Sequence, residues 1–439
     1  MVQVLLGALR AAGRRATAAR FLATRSVLQT CSFATQSSGA SVVSSPNTDL
    51  FTCHEPRLTL TDFLHYVVYT WGNGTLGQLG HGPVVKSGIR NAYEELTPKL
   101  VEALEGKAIT NVEFGASHSA AIDVDGRLYV WGSNEYSKLG LGESSEMETL
   151  PREVEALKGI KIVDVSCGDY FTAAVDEDGK MYSWGWGGST MKGAGGLGHA
   201  GGKDEPTPRL LTTLVDQGVP IATVECGEFH TVALTKDGEI WAWGNGEYGR
   251  LGNGESDTCE VPEPIEFFSK DNVVSIAAGR DFSFALTDKG ELYSWGGNSQ
   301  NQLGIGGGLA MDVYNIESIP VLVEAFNGLS VKQIAAGYDH AAAVTGTAVY
   351  DGRERYKMTQ VACGRQYTVA LTDDGKVFTF GKGSSNCLGH GDRKNQLQPV
   401  QIQALAGVNM TSVSCGDYHM GAIATPHAEA ADKDFSFRE

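Results

Sequence analysis

Seven short stretches place chemically capable side chains directly after a glycine: Gly115-Ala-Ser-His118, Gly168-Asp-Tyr-Phe171, Gly227-Glu-Phe-His230, Gly279-Arg-Asp-Phe282, Gly337-Tyr-Asp-His340, Gly364-Arg-Gln-Tyr367 and Gly416-Asp-Tyr-His419. A carboxylate beside an imidazole can move protons. Catalysis, however, asks for a nucleophile–base pair or paired carboxylates with a recognisable local signature, and none occurs. Acids, histidines and aromatics mixed in a set of loops suit recognition instead. The candidate protein-binding residues are Asp169, Glu228, His230, Asp281, Asp339, His340, Asp417 and His419. A bland reading stands beside this one: the third residue of each loop packs or hydrogen-bonds inside its own repeat, leaving the first two for contact.

A second candidate is Gly72-x-Gly74-x-x-Gly77, the spacing of a dinucleotide pyrophosphate loop. That spacing recurs at Gly244, Gly246 and Gly249, and neither copy opens a helical pattern. A cofactor loop occurs once, so these glycines read as a repeated structural turn, and no cofactor is expected. Among eight cysteines, Cys167, Cys226, Cys363 and Cys415 share one repeat position that elsewhere holds Phe114, Ala278 or Ala336. Thiols interchangeable with apolar side chains are core packing, and the absence of any C-x-x-C pair argues against a metal centre.

The elements that must carry the seven loops come from a repeat. Trp-Gly recurs at Trp71, Trp131, Trp184, Trp243 and Trp295, with Phe380-Gly381 once in the same place. Each is followed by a Gly-rich stretch ending in Leu-Gly, at Leu79, Leu139, Leu197, Leu251, Leu303 and Leu388. Between loop and Trp-Gly lies an apolar strand, an Asp-Gly turn and an alternating strand, as in Tyr170–Gly185. Asp-Gly between such runs predicts a tight hairpin in which both turn residues take positive φ. Sustained helical periodicity is missing. Units of about 50 residues, each a small sheet unable to bury both faces alone, imply an all-β propeller.

These motifs resemble the regulator-of-chromosome-condensation repeat family over residues 65–424. The resemblance implies a seven-bladed β-propeller in which the first Trp-Gly strand and the last loop strand share one blade. It also implies a non-catalytic binding scaffold. In exchange-factor members, acids and histidines of these loops touch a GTPase, and the stretches at Gly337 and Gly416 match that motif most closely. One unit is short: glycine spacings of 53, 59, 52 and 58 are followed by 27 and then 52. Either its outer strands are lacking, or about 25 to 30 residues are missing through a gene-model error. From spacing alone the second is preferred.

Residues 1–45 hold five arginines and no acid, the composition of an organellar transit peptide, read as mitochondrial in preference to a plastid address or a disordered basic tail. Without those arginines the chain has 30 basic against 52 acidic residues, a net of about −22, which is unsuited to gripping a polyanion across a broad face. Expected domains are a transit peptide (1–45), a linker (46–64), the propeller (65–424) and a disordered tail (425–439). The expected location is the matrix or the matrix side of the inner membrane, with no membrane span and no small-molecule substrate.

The resemblance to mitochondrial members of the family implies first an interaction protein supporting organellar gene expression, through ribosome assembly or RNA processing, with mitochondrial ribosome assembly factors as partners and its RNA contacts indirect. The alternative is exchange on a GTPase, dynamin-like or Ran-like. Ultraviolet reception, as in a plant relative, is disfavoured because none of the seven loops carries a tryptophan.

Overall fold

The computed structural model describes residues 66–84, 93–142, 145–189, 193–306, 316–346, 349–350, 355–384 and 386–425. The expected leader and linker, and the tail from residue 426, lie outside them. Among the described residues the chain is an all-β propeller with six four-stranded antiparallel sheets, a two-stranded one that lines the axis with them, Val331–Ala336 with Ala341–Thr345, and two short ribbons, Gly188–Ser189 with Gly193–Ala194 and Val349–Tyr350 with Arg355–Tyr356. Helix is limited to single turns and the five-residue Thr212–Asp216. No helix among them is long and apolar enough to cross a membrane.

One sheet joins distant parts of the sequence. Strand Val67–Asn73 pairs with His419–Ala424 on one side and Glu94–Leu100 on the other. The alternating strands explain the packing: Phe171–Asp176 and Met181–Gly185 are buried almost throughout, as their position between two outer strands demands.

The hairpin turns differ from expectation. Gly126, Gly179, Gly238, Gly290 and Gly375 are left-handed, but the preceding Asp or Lys is not. Gly126 N donates to Asp123 O at 2.9 Å and Asp123 N to Arg127 O at 3.1 Å. The loop is therefore three residues long and ends in a left-handed glycine, a geometry that asks positive φ of one residue only.

Five of the six four-stranded sheets are keyed to a neighbour by a buried tryptophan. The indole N–H of Trp71, Trp131, Trp184, Trp243 and Trp295 donates to the carbonyl of Cys387, Gln78, Lys138, Gly196 and Arg250 respectively, at 2.8–3.0 Å. Every acceptor immediately precedes a Leu-Gly pair of the adjoining sheet. In four sheets the same carbonyl takes a second bond from Ser119, Thr172, Thr231 or Ser283. Phe380, with no N–H to donate, follows the two-stranded sheet, the unit without a Leu-Gly loop. The short unit has no Leu-Gly carbonyl to accept a bond and Phe380 has no N–H to give, so the two fit one another.

Candidate functional site

The loops converge because the inner strands do. A side chain at Gly115 would stand 2.5 Å from Gly168 O, and one at Gly416 would collide with Gly115 O. The loop glycines thus pack backbone on backbone around an axis, which no other residue allows. The axis is a cavity of about 190 Å³ lined by inner strands of all seven sheets, Glu113, Ser166, Glu225, Gln333, Gln360 and Ser414 among them.

Side chains stitch neighbouring inner strands. The Asp164 carboxylate accepts from Thr223 Oγ1 at 2.7 Å and Val224 N at 2.9 Å. Gln333 accepts from Val361 N at 2.7 Å and Gln360 from Val413 N at 3.0 Å. Burial pushes Glu113 up to about 7 and Asp164 to about 6; bonds from Ser414 and Val224 oppose this.

The three candidate histidines lie inside the wall rather than on the surface. His230, His340 and His419 are 0%, 7% and 0% exposed, as is His118 at 0%. Their Nε2 atoms meet Ser283, Thr368, Ser119 and (from His118) Thr172 of the next sheet at 2.8–2.9 Å. Because Ser119, Thr172 and Ser283 give their own protons to loop carbonyls, the imidazole must supply the Nε2–H. Nδ1 is then unprotonated and buried without a partner. Protonation would place a charge and an unpaired N–H in the wall, so burial holds His340 near 4 and His419 near 3. These rings join sheets; they are not contact residues.

Asp281 is also corrected. It is 4% exposed and held by Arg280 at 2.7 Å, since the guanidinium folds down over it. Asp169, Glu228, Asp339 and Asp417 are half-buried at the mouth of the channel. Burial pushes the pKa of the Asp169 carboxyl well above the usual carboxylate range, and the Asp417 and Glu228 charges add to that shift. Asp417 is also raised by burial, against the pull of Arg365 at 3.0 Å.

The mouth has two unlike halves. On one, Arg280 and Arg365 stack on Tyr338 at 4.4 and 3.9 Å, and Arg365 reaches Tyr418 at 5.3 Å. On the other, Tyr170 and Phe229 stack at 5.4 Å with Trp186 and Tyr136 against them. Trp186, Tyr136 and Tyr248 lie outside the seven loops and sequence reasoning missed them. For the two tyrosines the signal was present in the twice-used Glu-Tyr-x-Lys/Arg-Leu-Gly of residues 135–140 and 247–252. The Gly72/74/77 stretch ends strand Val67–Asn73 in a turn closed by Gly77 N to Gly74 O at 2.9 Å, and no helix follows. Among the described residues, no group of three His, Cys, Asp or Glu side chains is arranged to hold a metal ion.

A model of the RCC1-like domain matches residues 67–357, and regulator of chromosome condensation (RCC1) repeats match 358–387 and 374–423. The chain belongs to the RCC1 family. This RCC1-family propeller is 35% identical over 272 residues to the mitochondrial RCC1 domain-containing protein RUG3 of Arabidopsis thaliana, covering 59% of the chain and 57% of RUG3. It is 32% identical over 366 residues to the human E3 ubiquitin-protein ligase HERC2, covering 82% of the chain and 7% of HERC2. The chain thus spans a small part of HERC2 and little more than half of RUG3. Yeast RCC1 (Prp20), solved bound to Kap60, superposes with a TM-score of 0.72 at 24% identity over 84% of this chain and 91% of that one.

Proposed function

We propose that this chain is a mitochondrial propeller that binds protein partners through the mouth of its axial channel, in support of organellar gene expression. The observation that carries the reading is the convergence of Asp169, Glu228 and Asp417 on the channel, from loops far apart in sequence, with Asp339 3.9 Å from the lining Arg280. The acid-free, arginine-bearing start and the mitochondrial relative RUG3 support the location. The two-stranded sheet is counted as a seventh, abridged blade, and the pairing of Val67–Asn73 with His419–Ala424 as the closure of the ring. The scaffold acts by binding, without covalent chemistry.

The test has two parts. Residues 1–45 fused to a fluorescent reporter should enter mitochondria; a diffuse or nuclear signal overturns the location. Affinity purification from mitochondria should recover ribosomal proteins and assembly factors, and Asp339→Ala with Asp417→Ala should weaken that recovery. Exchange on a GTPase is the second reading, favoured by the Gly337-Tyr-Asp-His340 and Gly416-Asp-Tyr-His419 loops. Recovery of a GTPase whose nucleotide release depends on Asp339 and Asp417 would replace the first reading with it.

A further inference from the structure

Polar contacts hold neighbouring sheets together at three heights. Midway, an indole and usually a serine or threonine donate to the carbonyl before a Leu-Gly pair, as at Arg250 O. Nearer the mouth, His118, His230, His340 and His419 reach a hydroxyl of the next sheet. At the base, a hairpin glycine accepts from the first inner-strand residue of the next sheet. Gly126 O takes Ile162 N, Gly179 O takes Ile221 N, Gly238 O takes Val273 N and Gly375 O takes Met410 N, at 2.9–3.2 Å.

One junction has none of the three. It lies between the sheet of Phe282–Thr287 and the two-stranded sheet, Val331–Ala336 with Ala341–Thr345. Gln302 precedes a Leu-Gly pair and is 3% exposed, yet residues 331–357 contain no tryptophan to reach its carbonyl. Ala341 stands where Ser119, Thr172, Thr231 and Ser283 carry a hydroxyl, and Phe282 where four other loops have histidine. At the base, Val331 N turns back to Leu329 O at 3.1 Å, and nothing lies within 4 Å of the place a Cβ on Gly290 would take. A Cβ on Gly126, Gly179, Gly238 or Gly375 would instead collide with the residues leading into the next sheet. Between the two sheets sits a cavity of about 20 Å³, walled by Phe284, Gln302, Leu303, Phe326 and Ala341 among others.

What crosses this junction, among the described residues, is apolar packing and one arginine. Ile334 and Ala343 join the core of Phe284, Leu286 and Leu303. At the mouth Arg280 N donates to Gly337 O at 3.3 Å, and the guanidinium lies 4.4 Å over Tyr338 and 3.9 Å from Asp339.

We propose that the propeller opens locally at this junction before any other, and that Arg280 is the latch that couples the opening to the channel mouth. Opening elsewhere breaks indole, hydroxyl and hairpin bonds that this junction never made. A partner engaging Arg280 and Asp339 together holds the seam closed, a consequence that rests on the reading of the mouth as a protein-binding surface.

The test measures thiol labelling of the folded full chain by a maleimide, located by mass spectrometry. Ala343→Cys probes the seam, and Ala285→Cys probes the equivalent place at the junction keyed by Trp295; the parent residues are 3% and 0% exposed. The thiol of Ala343→Cys should react at least about 10-fold faster. Adding Ala341→Ser gives Gln302 O a donor and should slow that reaction about 5-fold, whereas adding Arg280→Ala should speed it by a similar factor. Equal rates at the two junctions, or a rate indifferent to Ala341→Ser or to Arg280→Ala, overturns the proposal. If Ala343→Cys does not fold, Leu286→Cys on the facing wall, compared with Leu234→Cys at the keyed junction, gives the same reading. Labelling reads the scaffold alone, so its failure leaves the channel-mouth reading standing, and a mouth that recovers no partner leaves the seam standing.

Discussion

Trp184 and Phe380 occupy the same place in equivalent strands, yet their surroundings ask different things of them. Trp184 is fully buried and donates to Lys138 O of the preceding sheet at 2.9 Å. Phe380 is 7% exposed and follows a sheet of two strands whose sequence lacks a Leu-Gly loop. The residue at this position is thus chosen by the sheet before it, not by its own strand. A repeat protein is a chain of nearest-neighbour interfaces, and an irregular unit is read most clearly in what its neighbour has given up.

Removing the indole altogether tests the full-sheet side of the comparison. Trp184→Ala should destabilise by about 3–5 kcal/mol, read from urea unfolding. Trp184→Phe should cost about 1–3 kcal/mol, since Lys138 O keeps Thr172 as a donor but loses the indole. Phe380→Trp tests the other side and should also destabilise, by about 1–2 kcal/mol, through a larger ring and a buried N–H. A gain in stability would falsify the comparison, because it would mean that an acceptor waits there.

Tyr367, in the same sheet as Phe380, stands where other loops have histidine. Its hydroxyl reaches Gly416 O at 2.7 Å and His419 O at 2.8 Å. Tyr367→Phe should cost about 1 kcal/mol, and no loss at all would mean that the ring's packing alone seats it.

The smallest effect is a curvature with pH. His340 and His419, held near 4 and 3, stay neutral when folded. The unfolded chain protonates them below about 6.5, so their stabilisation is lost as pH falls from there. Glu113 and Asp164, raised to about 7 and 6, act oppositely: their contribution is complete at low pH and lost as pH rises through 6 and 7. The melting temperature should therefore peak near pH 6. Glu113→Gln should flatten the limb above the peak and leave the acid limb intact; a steeper upper limb in that variant would reverse the assignment.

Much of this architecture is legible in the chain, because Trp-Gly, Asp-Gly and Leu-Gly each encode a strand end or a turn. The channel mouth was legible only in its location. Whether His230 or Asp281 faces water depends on where Ser283 and Arg280 of the same or the next sheet fall, and spacing within one loop carries no such information. Tyr136 and Trp186 reach the mouth from a different part of the repeat, through a left-handed residue and a long loop that no hydrophobic pattern marks.

Strand Val67–Asn73 finds its pairing partner 357 positions later, Val67 opposite Ala424. During synthesis that early strand carries an unsatisfied edge until His419–Ala424 arrives. Completion of that sheet is therefore timed by its most distant strand.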